Sequence, residues 1–191
     1  MNEIESITML ALARSANTGL ADGKLIPEVL IIGLKLTAKA TEIPSEVIEL
    51  IAGQRKSGIV FACVREVPFE GRTREECAFA VRRAQPGRAG HTLIYHVYAG
   101  DWQPAGECQL ELNGSTIDEL WASLCSQTIL GTTDFENLDA RIVQHGEIAR
   151  LEADVDKLTR DHQRAKNPAQ RNEIYAKLHK AKTQLAQMRE V

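Results

Sequence analysis

The stretch Lys166-Asn-Pro-Ala-Gln-Arg-Asn-Glu-Ile174 turns the chain back on itself, and its reading decides the fold of the last third. On its N-terminal side Ile148, Leu151, Val155, Leu158, His162 and Ala165 recur at alternating steps of three and four. On its C-terminal side Arg171, Ile174, Leu178, Ala181, Leu185 and Met188 continue the alternation. Paired from the ends inward, each residue of the first set has a mate in the second, and every pair is centred on Pro168. Such spacing marks one apolar stripe per helix. The stretch therefore predicts an antiparallel, coiled-coil-like helical hairpin hinged at Asn167-Pro168. Asn167 is a good N-cap, Gln170 follows three residues later, and Pro168 takes the first helical position, where its missing N–H costs nothing.

A two-helix seam leaves much of each helix wet, so an isolated hairpin of some forty residues should be marginal. It is expected to dock on the body, on a second copy, or on another protein. The candidate partner-binding residues are Ile148, Leu151, Val155, Leu158, Ile174, Leu178, Leu185 and Met188.

The remainder reads as a smaller globular body. Of 191 residues, 43% are apolar and 26% charged, enough for an ordinary core and too apolar for a disordered chain. Ile4, Ile7, Leu10 and Ala11 suggest a short N-terminal helix. Residues 29–36, rich in Val, Ile and Leu, read as a strand, and 41–53 as a helix opened by Pro44 and ended by Gly53. Residues 59–64 are apolar at consecutive positions, as in a strand covered on both faces. Cys77, Phe79 and Val81, then Leu93, Tyr95 and Val97, alternate as two further strands separated by a turn at 85–90. Residues 109–112 suggest a short fifth strand. Ser115, with Asp118 three residues on, suggests a helix start. A second helix near Asp134, broken at Gly146, leads into the hairpin. The expected fold class is α+β, with a small, mostly antiparallel sheet, flanking helices and the C-terminal hairpin. The expected boundary separates a body of residues 1–130 from helices at 131–191.

Charge is uneven. Residues 159–191 hold eight Lys and Arg against three acids, within a chain of formal net charge −3. A basic arm on an acidic body invites a partner for each. Arg164, Lys166, Arg171, Lys177 and Lys180 of the arm, with Arg82, Arg83 and Arg88 around the 85–90 turn, are the candidates for nucleic-acid contact. Solubility and edge protection account for such residues equally well.

Motifs for catalysis are not found. The sequence has no Gly-x-x-x-x-Gly-Lys phosphate loop, no Gly-x-Gly-x-x-Gly after a strand and no Gly-x-Ser-x-Gly elbow. Cys63, Cys77, Cys108 and Cys125 form no Cys-x-x-Cys pair and read as reduced thiols, mostly buried. His91 and His96, an odd number of residues apart on one strand, face opposite ways. Glu28 and Glu66 flank strands as a metal-dependent nuclease would require, but Leu30 and Pro68 stand where that chemistry wants a Lys. A pocket near His96, Tyr98, Asp101 and Trp102 is the remaining enzymatic option. The expectation is no catalytic residue, no cofactor and no metal. The acidic N-terminus and the lack of a long apolar run suggest a cytoplasmic protein without a membrane span.

Several segments carry a resemblance. Glu28-Val-Leu-Ile-Ile-Gly-Leu-Lys35, Ile59-Val-Phe61, Trp102, Asp118-Glu-Leu-Trp-Ala-Ser-Leu124 and the 166–174 turn together resemble the domain-of-unknown-function family 4391, over residues 28 to the end. Residues 1–27 depart from the family's longer, Lys-bearing N-terminal part, and Pro168 is unusual at the turn. The resemblance implies no catalytic residues. It implies a setting among small companions of helicases and DNA methyltransferases in DNA-modification or phage-defence gene clusters. The function expected on these grounds is a non-enzymatic accessory subunit docking through hairpin and body. The alternatives are a nucleic-acid-binding module, and a metal-dependent nuclease or other enzyme.

Overall fold

The computed structural model describes residues 3–85 and 93–189. The chain divides into two compact units after Leu138. In the first unit, six strands form one sheet. They are β1 (Ile4–Ala13), β2 (Val29–Leu36), β3 (Gly58–Phe69), β4 (Arg72–Ala84), β5 (Tyr95–Ala99) and β6 (Gln103–Pro104). The spatial order is β1-β2-β3-β4-β5, with β6 beside β4. Every pairing is antiparallel except β2 with β3. A parallel neighbour needs a crossover, and a helix in residues 45–53 supplies it. The fold is α+β, as the sequence indicates.

Helices in the described first unit are α1 (Ser15–Thr18), α2 (Ser45–Gly53) and α3 (Ile117–Leu130). Alternation along the strands sends Leu30, Leu34, Ile59, Phe61, Cys63 and Ala80 to one face, where they form a core with Ile48 and Ala52 of α2. Val29, Val60, Cys77 and Val81 point the other way, and α3 packs against β3, β4 and β5. Its Ile117, Leu120, Leu124 and Cys125 are fully buried. Gly58 lets the two layers close: a Cβ there would lie 2.6 Å from the Trp121 ring. β3, third in the sheet and covered on both sides, is the central strand its apolar run predicts.

Several expectations are corrected. Residues 4–13 form strand β1, not a helix; they pair with β2 with two register shifts, which alter the spacing of the side chains on each face. Residues 109–112 form no strand, and β6 is the short one instead. The helix start near residue 115 uses Thr116 as its N-cap, whose Oγ1 accepts the Glu119 N–H at 3.1 Å. Glu119 reaches back to the N–H and hydroxyl of Ser115, at 2.7 and 2.5 Å. Asp118 does not cap this helix. Its carboxylate accepts backbone N–H groups of Lys24, Leu25 and Ile26 at 2.6–3.1 Å, pinning the loop before β2.

The second unit is built from α4 (Leu138–Arg164) and α5 (Pro168–Arg189). α4 runs through Gly146 without a break. One glycine costs a helix only about 1 kcal/mol, which a helix of 27 residues absorbs. Among the described residues no helix is long and apolar enough to cross a membrane.

Candidate functional site

The hairpin is where the sequence concentrates its candidates, and its geometry follows from a few local choices. Asn167 caps α5: its Oδ1 accepts the Ala169 N–H at 2.8 Å, and its carbonyl accepts the Arg171 N–H at 2.9 Å. Pro168 begins the helix with no N–H to satisfy. Far from the turn, the Gln144 side chain donates to the Met188 carbonyl at 3.0 Å, and Arg189 pairs with Glu152. α4 and α5 therefore run antiparallel along their length.

The predicted stripe is the seam. Leu151, Leu178, Ala181 and Leu185 are buried, and Ile148, Val155, Leu158, Ile174 and Met188 are half-buried. The eight residues put forward as partner-binding are thus turned toward one another and hold the hairpin together. Arg171, which the spacing placed on the stripe, is exposed; it lies beside the turn.

Two different surfaces flank the seam. On one side is an open groove whose lining includes Arg164, Lys166, Lys177 and Lys180 of the predicted basic set, together with Arg150 and Lys157. Asp154, Asp161 and Glu173 also line it. Lys177 reaches Glu173 one turn away at 2.7 Å, and this contact holds the Glu173 carboxyl below its ordinary value. On the other side, about a third of a turn around α5, Tyr175 stands 58% exposed. Its ring lies 5.9 Å from that of His162 and 6.5 Å from that of His179. Charge counting along the sequence finds four of the six cations of the groove. The rest was legible in the seven-residue spacing of Arg150, Lys157 and Arg164, and the aromatic cluster in the i, i+4 spacing of Tyr175 and His179.

The other candidates belong to the first unit. Arg82 binds Glu49 of α2 at 2.7 Å and lies 3.8 Å over the Tyr95 ring. Arg83, its neighbour on β4, points to the opposite face. Arg88, like His91, lies outside the described residues. His96 and Trp102 are not brought together. The His96 imidazole meets Gln85 Oε1 at 2.9 Å, whereas Trp102 packs against the α2-side core beneath the Arg65 guanidinium, 4.0 Å from its ring centre.

Nor do the strand-end acids converge. Glu28 is clamped by Arg14 at 2.6 Å and Ser57 at 2.9 Å, which together hold its carboxyl below the ordinary value. Glu66 pairs with Lys35 at 3.6 Å. Among the described residues no three His, Cys, Asp or Glu side chains gather as a metal site requires. One acid outside the candidates is set more firmly. Glu76, on β4, takes Arg74 at 2.5 Å and Arg65 at 2.9 Å, and both hydrogen bonds lower its pKa.

The arrangement defines a class: a small α+β domain carrying a helical hairpin with two chemically distinct sides. Residues 1–185 match the family described as Domain of unknown function (DUF4391), and the chain belongs to it. The match begins at the first residue, so the N-terminal strand is part of the family pattern that residue-level resemblance had placed only from Glu28 onward. No curated protein and no solved structure matches the chain.

Proposed function

We propose that this protein is a non-enzymatic accessory subunit of a larger bacterial DNA-processing or phage-defence complex, docking through its C-terminal hairpin with the α+β body as a second contact surface. The partner is a larger protein such as a helicase or DNA methyltransferase, in keeping with the setting that the family resemblance implies. The observation that carries the reading is Tyr175. An exposed tyrosine set between two imidazoles on a helix is a poor use of surface in a solitary protein. It is the residue type that dominates binding energy at interfaces. The seam leucines serve this role indirectly, by keeping α4 and α5 in register beneath it.

The test is affinity purification of the tagged chain from its own cells, followed by mass spectrometry. A helicase or methyltransferase recovered in stoichiometric amount is expected. Tyr175→Ala should weaken that association about thirtyfold, the scale of an interface hot spot, while leaving helix content unchanged. Leu158→Glu should abolish it by opening the seam. Recovery of the chain alone, or full recovery with Tyr175→Ala, refutes the proposal.

A further inference from the structure

We propose that the groove on the other side of the seam binds the sugar–phosphate backbone of single-stranded nucleic acid. This does not rest on the docking role assigned above, since Tyr175 and the groove lie on different sides of the hairpin.

The first argument is charge. Six cations line the groove against three acids. Among the described residues only Lys177 of the six is engaged in an ion pair, so Arg150, Lys157, Arg164, Lys166 and Lys180 remain available to a polyanion. The second is spacing. Arg150, Lys157 and Arg164 stand seven residues apart along α4, which is about 10 Å per step at 1.5 Å per residue. A strand held at duplex spacing presents a phosphate about every 3.4 Å, and an unstacked, extended strand presents them further apart, so three such cations track a run of at most about six nucleotides. Lys177 and Lys180 extend the positive lining from the α5 side. An acidic peptide has no such fixed repeat.

The third argument is shape. Packed helices lie about 8–10 Å apart, and the furrow between them admits one extended strand. A flat bilayer would meet only its rims. The lining contains no aromatic ring, so bases have nothing to stack on and stay outward. Binding is therefore to the backbone and independent of sequence.

The experiment is fluorescence anisotropy of a labelled mixed-sequence DNA 12-mer titrated with the full chain. Binding at about 50 mM salt is expected. A plot of log affinity against log salt should have a slope of about −3 to −4, given roughly 0.7 per phosphate neutralised on a single strand. The double variant Lys157→Gln, Lys180→Gln should bind about tenfold more weakly and flatten the slope by about 1.4. Lys39→Gln, Lys56→Gln, a pair exposed on the body, should change neither. Tyr175→Ala should also leave binding intact, which separates this test from that of the docking role. The inference is overturned by absence of binding at low salt, or by equal losses from the groove and body pairs. Tighter binding to the same DNA as a duplex, to an acidic peptide of matched charge, or to anionic phospholipid vesicles overturns it as well.

Discussion

Asp118 holds in place a segment more than ninety residues away in sequence, and it does so with charge. Burial pushes its carboxyl up, but the N–H groups of Ile26, Lys24 and Leu25 outweigh that and leave its pKa below the ordinary 3.8. Glu28, Glu76 and Glu119 are likewise lowered, the first two chiefly by arginine partners and the third by Ser115. A carboxyl with a depressed folded pKa contributes stability above its unfolded value and loses it as pH falls through the folded one. The urea midpoint should therefore be level near neutrality and fall steadily once pH drops below about 4.5, the ordinary Glu value. Asp118→Asn should lose about 1.5–3 kcal/mol at pH 7, the scale of hydrogen bonds to a charged acceptor, and show a shallower decline in acid. An unchanged acid limb in this variant would mean that the N–H cradle does not favour the charged form. Thiols behave oppositely. Burial pushes Cys63 up to about 12 and, with the Cys108 thiol adding to it, Cys77 to about 12 as well. Cys125 is buried too, and Cys108 is the partly exposed one. Iodoacetamide at pH 8 should label Cys108 in the native chain and leave the other three unmodified by peptide mass mapping. Labelling of Cys63 at a comparable rate would contradict the burial.

At the scale of elements, β1 shows why a correct residue pattern produced the wrong structure. Its pairing with β2 shifts register between Ile4 and Ser6 and again between Met9 and Ala11. Each shift inserts a residue. The side chains sharing a face with Leu36, Leu34, Ile32 and Leu30 are therefore Ile4, Ile7, Met9 and Leu12, with steps of three, two and three where a strand should show two throughout. The step from Ile4 to Ile7 imitates a helix, although Ala11, which completes the helical pattern in sequence, pairs with Ile31 on the other face; bulges carry no composition signal strong enough to undo the imitation. The tight turn between β3 and β4 was equally hard to see. Glu70 and Gly71 both have positive φ, at 48° and 76°, the two-residue geometry that usually announces itself as Asn-Gly or Asp-Gly. By contrast the hairpin was legible almost residue by residue, because stripe spacing, N-cap and proline all act within one turn of helix. The groove beside the seam was legible in part: four of its six cations belong to the predicted basic set, and the remaining two follow from rotation about α4. Two predictions belong here. Gly146 lies inside α4 with nothing within 4 Å of where a Cβ would sit, so Gly146→Ala should stabilise the hairpin by about 0.5–1 kcal/mol. A lower thermal midpoint would show that this position is not regular exposed helix. Cysteines introduced at Leu158 and Leu178, in a background lacking Cys108, should crosslink within one chain; crosslinking exclusively between chains would convert the hairpin into an exchange between copies.

At the scale of the molecule, the two units differ in how they are held. The first has a sheet covered by α2 on one face and α3 on the other, and Val60, Phe61, Cys63 and Val81 are wholly buried. In the second, two helices share one seam, and Ile142, Leu151, Leu178, Ala181 and Leu185 carry the burial. A two-helix seam removes less apolar surface per ordered residue than a sheet between two layers, and local opening follows buried contact. Native-state hydrogen exchange should therefore sort the amides by unit. Those of β3 and the paired part of β4 should exchange only through global unfolding, with free energies that fall in step with denaturant. Those of α4 beyond Gly146 and of α5 should exchange through a lower-energy opening that depends weakly on denaturant. Leu151→Ala, costing about 2–3 kcal/mol as a large-to-small change at a buried site, should raise exchange throughout both hairpin helices. It should leave the β3 amides where they were. If β3 and hairpin amides instead slow and quicken together, the chain opens as one cooperative body. The seam would then be no weaker than the sheet core, and the hairpin would have no energetic need of a covering partner.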